Sequence, residues 1–231
     1  MTFSPNHIVA AALLAGSALA AQAAVDLNVS GFAYGGNHVN VVSTGTVPAT
    51  YTGAAGGFTA SLSGTGIFDS PSFVAYCVEI EQTFRFGSLT GYTLVSPGAY
   101  TQASPGQNGW GANAAAIGDR LGQLLTHALP LATNSAASTA LQLAIWNTVY
   151  DIDATVAGGL FSDTSAFAAQ ADAYMANSAA TVSTLRIGIL TNAAHQDFIV
   201  YAPVPEPSTY ALMVAGLGVV GFMARRRQRR G

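Results

Sequence analysis

The sequence predicts an α+β fold that is mainly β: a β-sandwich or barrel with an insertion of two or three helices, plus a C-terminal single membrane helix. Three observations carry that prediction. Residues 25–104 are rich in Gly, Ser, Thr, Val and aromatics, broken by turn signals such as Gly35-Gly36-Asn37 and Ser96-Pro97-Gly98, which is the texture of short strands. From about 113 to 180 the apolar residues recur at helical spacing instead. Tyr210 to Ala224 then runs without a charge straight into a block of arginines. Strands, then helices, then one more strand suggest a single β-rich domain carrying a helical part.

The elements follow in chain order. Strands are expected at about Val25–Tyr34, Val39–Ser43, Phe58–Leu62, Phe73–Phe86 and Tyr92–Val95. The stretch SPGQNGWGA at 104–112 reads as the loop joining the two parts. Asn113 is a candidate N-cap for a helix to Leu129, with Ile117, Leu121, Leu124 and Leu125 on one face and Pro130 as its stop. Asn134 or Ser135 caps a second helix to about Tyr150, and Asp163 or Ser165 a third through about Ala179. DFIVYA at 197–202 is a last strand.

Composition restricts function. Half of the 231 residues are hydrophobic and 8% are charged, against about 25% in an ordinary globular chain. Lysine is missing, and five of the eight arginines lie between 225 and 230. Residues 24–206 hold three arginines against eleven acids, a formal charge of −8. Such a surface repels phosphate backbones, so nucleic acid is not an expected partner. With one cysteine, Cys77, no disulfide can form within the chain.

Both ends read as addresses. Ile8 to Leu19 is an apolar run of signal-peptide length, followed by Ala21-Gln22-Ala23, with Ala18-Leu19-Ala20 as an alternative cleavage pattern. At the other end Pro203-Val204-Pro205-Glu206-Pro207-Ser208 cannot continue a helix or a central strand. The apolar segment after it covers about 22 Å as a helix against a hydrocarbon core of about 30 Å. It is a short span that relies on its arginines snorkelling, with the positive end in the cytoplasm. The expected organisation is a signal peptide at 1–23, an extracellular domain at 24–202, a Pro-rich motif and linker at 203–209, a membrane helix at 210–224 and a basic tail at 225–231.

The order VPEPS, glycine-rich apolar helix, arginine cluster resembles the PEP-CTERM sorting signal. That resemblance implies recognition by an exosortase, a membrane enzyme that cleaves near Val204, Pro205, Glu206 and Pro207 and passes the protein to the surface. Arg225, Arg226, Arg227, Arg229 and Arg230 are then the basic cluster of a temporary anchor. It further implies export through the inner membrane of a Gram-negative bacterium that makes extracellular polysaccharide.

Two polar residues interrupt apolar surroundings. Phe73 to Phe86 reads FVAYCVEIEQTFRF; as one strand it puts Tyr76, Val78 and Ile80 on one face and Cys77, Glu79 and Glu81 on the other. A thiol beside two carboxylates has a raised pKa and is a poor free nucleophile. In LQLAIWNTVY, Gln142 sits inside an apolar helix. By themselves they read as a small buried hydrophobe and a surface glutamine. Together, Tyr76-Cys77-Val78 and Leu141-Gln142-Leu143-Ala144-Ile145-Trp146 resemble the paired motifs of the thioester domains of bacterial surface adhesins. The resemblance implies a bond from the Cys77 sulfur to the Gln142 side-chain carbonyl, formed with loss of ammonia and open to attack by surface amines.

Other constellations are weaker. Asp151, Asp153, Glu79 and Glu81 lack EF-hand spacing, and His38, His127 and His195 are isolated, so no metal or cofactor is expected. Ser61, Ser63 and Ser96 lie outside any G-x-S-x-G. Trp110, Trp146, Tyr92 and Tyr100 are either core or a glycan-stacking patch. The expected protein is a non-enzymatic surface or matrix protein, an adhesin if the thioester forms. The alternatives are a structural or exopolysaccharide-binding matrix component and, less expected, an extracellular hydrolase.

Overall fold

A computed structural model describes residues 25–44, 48–100, 110–151 and 153–204, with short helical pieces at 212–213, 215–217 and 220. The expected signal peptide, Pro205 to Pro207 and the arginine cluster lie outside the described residues, as does most of the expected membrane helix. Among the described residues no helix is long and apolar enough to cross a membrane.

Nine strands and three helices are described: β1 Val25–Phe32, β2 Asn37–Ser43, β3 Ala49–Ala55, β4 Phe58–Ser63, β5 Ser70–Cys77, β6 Gly87–Val95, α1 Trp110–Ala128, α2 Ser135–Tyr150, β7 Phe161–Asp163, α3 Ala168–Ser178, β8 Leu185–Thr191 and β9 Phe198–Pro203. Six strands close an antiparallel barrel in the order β1-β4-β5-β9-β8-β6. Strict alternation builds it: in β1, Val25, Leu27 and Val29 are buried while Asp26, Asn28 and Ser30 are exposed. Leu27 pairs with Leu62 and Val29 with Ala60 across to β4. A second sheet, β3-β2-β7, stands apart from the barrel.

The mainly β prediction holds and the barrel decides between its two forms. Several elements differ. The strand expected over Phe73–Phe86 stops at Cys77, and Tyr76 through Ile80 are all buried. Alternation fails there because the segment is covered on both sides, by the barrel and by α2. Helix α1 is already under way at Trp110, so Asn113 is no N-cap and 110–112 are helix, not loop. Asp163 and Ser165 do not cap α3: Asp163 pairs with Val41 in β7, and its carboxylate accepts from the Ser165 amide at 2.9 Å.

Helix α2 is the organising element. Asn134 caps it, its side chain accepting from the Ala137 amide at 3.0 Å. Every residue from Ala137 to Tyr150 is buried, because α2 touches β5 of the barrel, β2, β3 and β7 of the small sheet, and both other helices. A helix with no solvent face must satisfy its polar side chains internally. It does so against two strand ends. Thr139 Oγ1 donates to Ala55 O at 2.7 Å, and Ser138 Oγ accepts from Gly57 N at 2.8 Å. Gly57 has no room for a side chain, since a Cβ there would lie 2.7 Å from the Tyr76 ring.

Candidate functional site

Ser138, Gln142, Trp146 and Tyr150 recur every four residues and so form one stripe on α2. That stripe runs along the chain from Tyr76 to Ile80. Tyr76 Oη and Ser138 Oγ are 3.3 Å apart. Gln142 Oε1 accepts from Cys77 N and Gln142 Nε2 donates to Cys77 O, both at 2.9 Å. Trp146 Nε1 donates to Glu79 O at 3.2 Å, and Tyr150 Oη accepts from Ile80 N at 2.9 Å. Gln142, Trp146 and Tyr150 do for the backbone of this strand end what a neighbouring strand does elsewhere, while Ser138 meets the Tyr76 phenol. β4 leaves β5 at the Phe58–Ala75 pair, and two residues on, the Gln142 amide takes up both backbone groups of Cys77.

The two residues singled out in sequence are therefore side by side, although 65 positions apart. Gln142 is 0% exposed and Cys77 is 4% exposed. Both line a cavity of about 40 Å³ together with Tyr51, Phe84, Trp146 and Gln196. Tyr51 stands edge-on to Trp146, with ring centres 5.6 Å apart. Burial pushes the Cys77 thiol well above its ordinary pKa and the nearby Glu79 adds to the effect. The thiol keeps its proton at neutral pH, as expected from sequence, though burial rather than the carboxylates leads.

Sequence reasoning placed Glu79 on the face of Cys77 but missed its burial and its link to Asp197. Glu79 is 1% exposed and its Oε1 accepts from the Asp197 amide at 3.0 Å. Asp197 in turn accepts from Tyr100 Oη at 2.6 Å and from Asn192 N at 2.7 Å. Gln196 Nε2 donates to Glu79 O. A Gln-Asp pair ahead of an apolar strand carries no signal that sets it apart from a loop. Burial outweighs the hydrogen bonds on Asp197 and raises its carboxyl from 3.8 to about 6.

A carboxyl whose pKa is higher in the folded chain stabilises the fold while it is protonated. That contribution is complete below the unfolded value near 3.8 and is lost as pH rises through about 6. Urea unfolding should show the wild type losing on the order of 2 kcal/mol between about pH 4 and pH 7 relative to Asp197→Asn, which cannot titrate. Parallel pH profiles for the two proteins would refute the assignment.

The remaining candidates are dispersed. Trp146, Tyr92 and Tyr100 are buried and so form no exposed patch, while the Trp110 side chain is outside the described residues. Among the described residues no group of three His, Cys, Asp or Glu side chains is placed to hold a metal ion. Asp151 and Asp153 serve their own loop, Asp151 accepting from Phe161 N at 3.2 Å and Asp153 from Thr155 N at 3.1 Å. Val204 is exposed just past β9, its amide donating to Thr184 O at 2.8 Å.

Comparison with known proteins bears on the tail. Residues 203–228 match the PEP-CTERM protein-sorting motif. The match takes in Val204 to Pro207 and Arg225 to Arg227, and it implies export, membrane-associated sorting to the cell surface and processing by an exosortase. Among solved structures, the chain is similar to the N-terminal thioester domain of a surface protein from Clostridium perfringens, solved as a cysteine-to-alanine mutant. The TM-score is 0.44 at 13% identity, covering 63% of this chain and 89% of that one. No curated protein matches the chain.

Proposed function

We propose that this chain, which carries a PEP-CTERM sorting motif, is a surface adhesin whose Cys77 and Gln142 form an internal thioester that captures one amine. The observation that supports it is the double hydrogen bond between the Gln142 amide and the Cys77 backbone, made where both residues line one small cavity.

The geometry suits the chemistry. The Cys77 N–H donates to Gln142 Oε1, so it polarises the amide carbonyl and stays in place to stabilise the oxyanion that forms on attack. The Cys77 sulfur adds to the Gln142 carbonyl carbon and the carbon–nitrogen bond breaks. The thiol, held protonated by burial, supplies the proton with which Nε2 leaves as ammonia. A primary amine then attacks the same carbon, the carbon–sulfur bond breaks and the amine proton returns to sulfur. The product is an amide linking Gln142 to the partner. One attachment per molecule is chemistry without turnover, so the protein is not an enzyme in the usual sense.

A second reading starts from the end of the β4–β5 pairing at Phe58 and Ala75. The same two hydrogen bonds satisfy a strand end that β4 has left, so Gln142 also fits a purely structural clamp in a matrix component. Intact mass spectrometry of the full chain, purified in mild detergent, separates the two. The thioester predicts a mass short by one ammonia, regained as one methylamine adduct on treatment and missing in Cys77→Ala. A full mass with a thiol that titrates freely on denaturation would leave the clamp alone standing.

A further inference from the structure

The cavity over Cys77 and Gln142 shares walls with a wider groove of about 510 Å³, a volume in the range of small-molecule sites. Tyr51, Phe58, Phe84 and Gln196 line both spaces. Beyond them the groove is walled by Phe32, Phe86 and Arg85. The rings form one packed cluster: Phe32–Phe58 centres are 4.7 Å apart, Phe58–Phe84 5.0 Å and Phe84–Phe86 5.7 Å. Phe86 is nevertheless 54% exposed. Its free face belongs to the groove.

We propose that this groove is the approach and selectivity site for the nucleophile, and that its preferred occupant is a primary amine on an uncharged apolar body. The inference rests on the thioester reading above. Three features carry it. Adjacency is the first, because Tyr51, Phe58, Phe84 and Gln196 line both spaces. Chemistry is the second: phenylalanine rings reward an apolar body that leaves water. Charge is the third. Among the described residues Arg85 is the one charged residue in the groove wall, and it opposes a second cation. Aromatic faces attract ammonium ions, but an arginine in the same wall counters that attraction. The amine must also shed its proton before it can attack, and apolar walls beside a cation favour the neutral form. Polyamines are therefore poor occupants and arylalkyl amines good ones.

The test compares rates of adduct formation on the full chain, by intact mass, for phenethylamine, methylamine and spermidine at equal free-base concentration. Phenethylamine should react about tenfold faster than methylamine, the scale of one partly buried phenyl ring, and faster than spermidine. Phe86→Ser should bring the phenethylamine-to-methylamine ratio close to one, whereas Val182→Ser, also an exposed hydrophobe but outside the groove wall, should keep it. Equal rates in the wild type, faster reaction with spermidine, or a ratio untouched by Phe86→Ser would overturn the proposal. If the starting mass shows no ammonia deficit, the thioester reading has failed and the groove is judged separately in Cys77→Ala. Saturation-transfer NMR should then detect phenethylamine binding that Phe86→Ser abolishes. No transfer, or transfer indifferent to Phe86, rejects the groove as well.

Discussion

Replacing Gln142 with Ala is expected to lower the stability of the fold by about 3–5 kcal/mol. Two costs combine. The Cys77 N–H and C=O lose their 2.9 Å partners, and an orphaned buried polar group costs about 1–3 kcal/mol. The truncation also enlarges a cavity beneath a helix that has no solvent face to relax into. Gln142→Leu separates the terms, since it nearly restores the volume and leaves both backbone groups stranded. About 2–4 kcal/mol should therefore persist in Gln142→Leu. Where the thioester forms, Nε2 has left as ammonia, so a covalent tie across 65 residues, which both variants lack, stands in place of the hydrogen bond to Cys77 O. Urea unfolding of the three proteins, with the mass of each recorded first, reads out all of this. A Gln142→Leu cost below about 1 kcal/mol would mean that the amide does not hold the strand end.

How much of this was legible beforehand depends on whether the cause was local. Helix α2 was read almost to the residue, because a cap and an apolar run are written into consecutive positions: Asn134 opens it and Tyr150 closes it. Strands β1, β2, β4 and β9 were legible for the same reason, each announcing itself by alternation or by a compact apolar run. β3, which reads ATYTGAA, has little apolar mass and owes its existence to the β2 edge along which it pairs from Asn37 to Ser43. That partner is invisible in a window of seven residues. β7 is three residues long and likewise exists through β2. The error over Phe73–Phe86 has a related origin. Period-two reasoning assumes one wet face, and the segment after Tyr76 has none.

The candidate site shows the same division. Cys77 and Gln142 stood out through motif resemblance, yet neither motif shows that the glutamine would engage the cysteine's backbone. The stripe Ser138–Gln142–Trp146–Tyr150 was present in sequence at a spacing of four. It mixes a hydroxyl, an amide, an indole and a phenol, so no hydrophobic periodicity marks it. Gln142, Trp146 and Tyr150 share a hydrogen-bonding capacity aimed at one stretch of backbone, with Ser138 on the Tyr76 phenol beside it, and that is a property of the packed pair. The burial of Glu79 and Asp197 was unreadable for the opposite reason: acids in sequence look like surface, and their burial depends on the β5–β9 pairing of Cys77 with Phe198.

That pairing makes Phe198 the second large lever. Its side chain is 0% exposed, and its ring lies 4.9 Å from Phe84, 6.1 Å from Tyr92 and 6.5 Å from Phe58, centre to centre. It joins the barrel interior to the aromatic cluster of the groove. Phe198→Ala should cost about 3–5 kcal/mol in urea or thermal unfolding, whereas Phe198→Leu, which keeps most of the volume, should cost under about 1.5 kcal/mol. The two variants should also part in function. Phe84 and Phe58 pack against the Phe198 ring and line both the small cavity and the groove, so the alanine void lets them sink inward. Phenethylamine selectivity is then lost in Phe198→Ala and retained in Phe198→Leu. A stability loss in Phe198→Ala with selectivity intact would show that the groove is shaped by its rim alone, and that the barrel core beneath it has no part in choosing the amine.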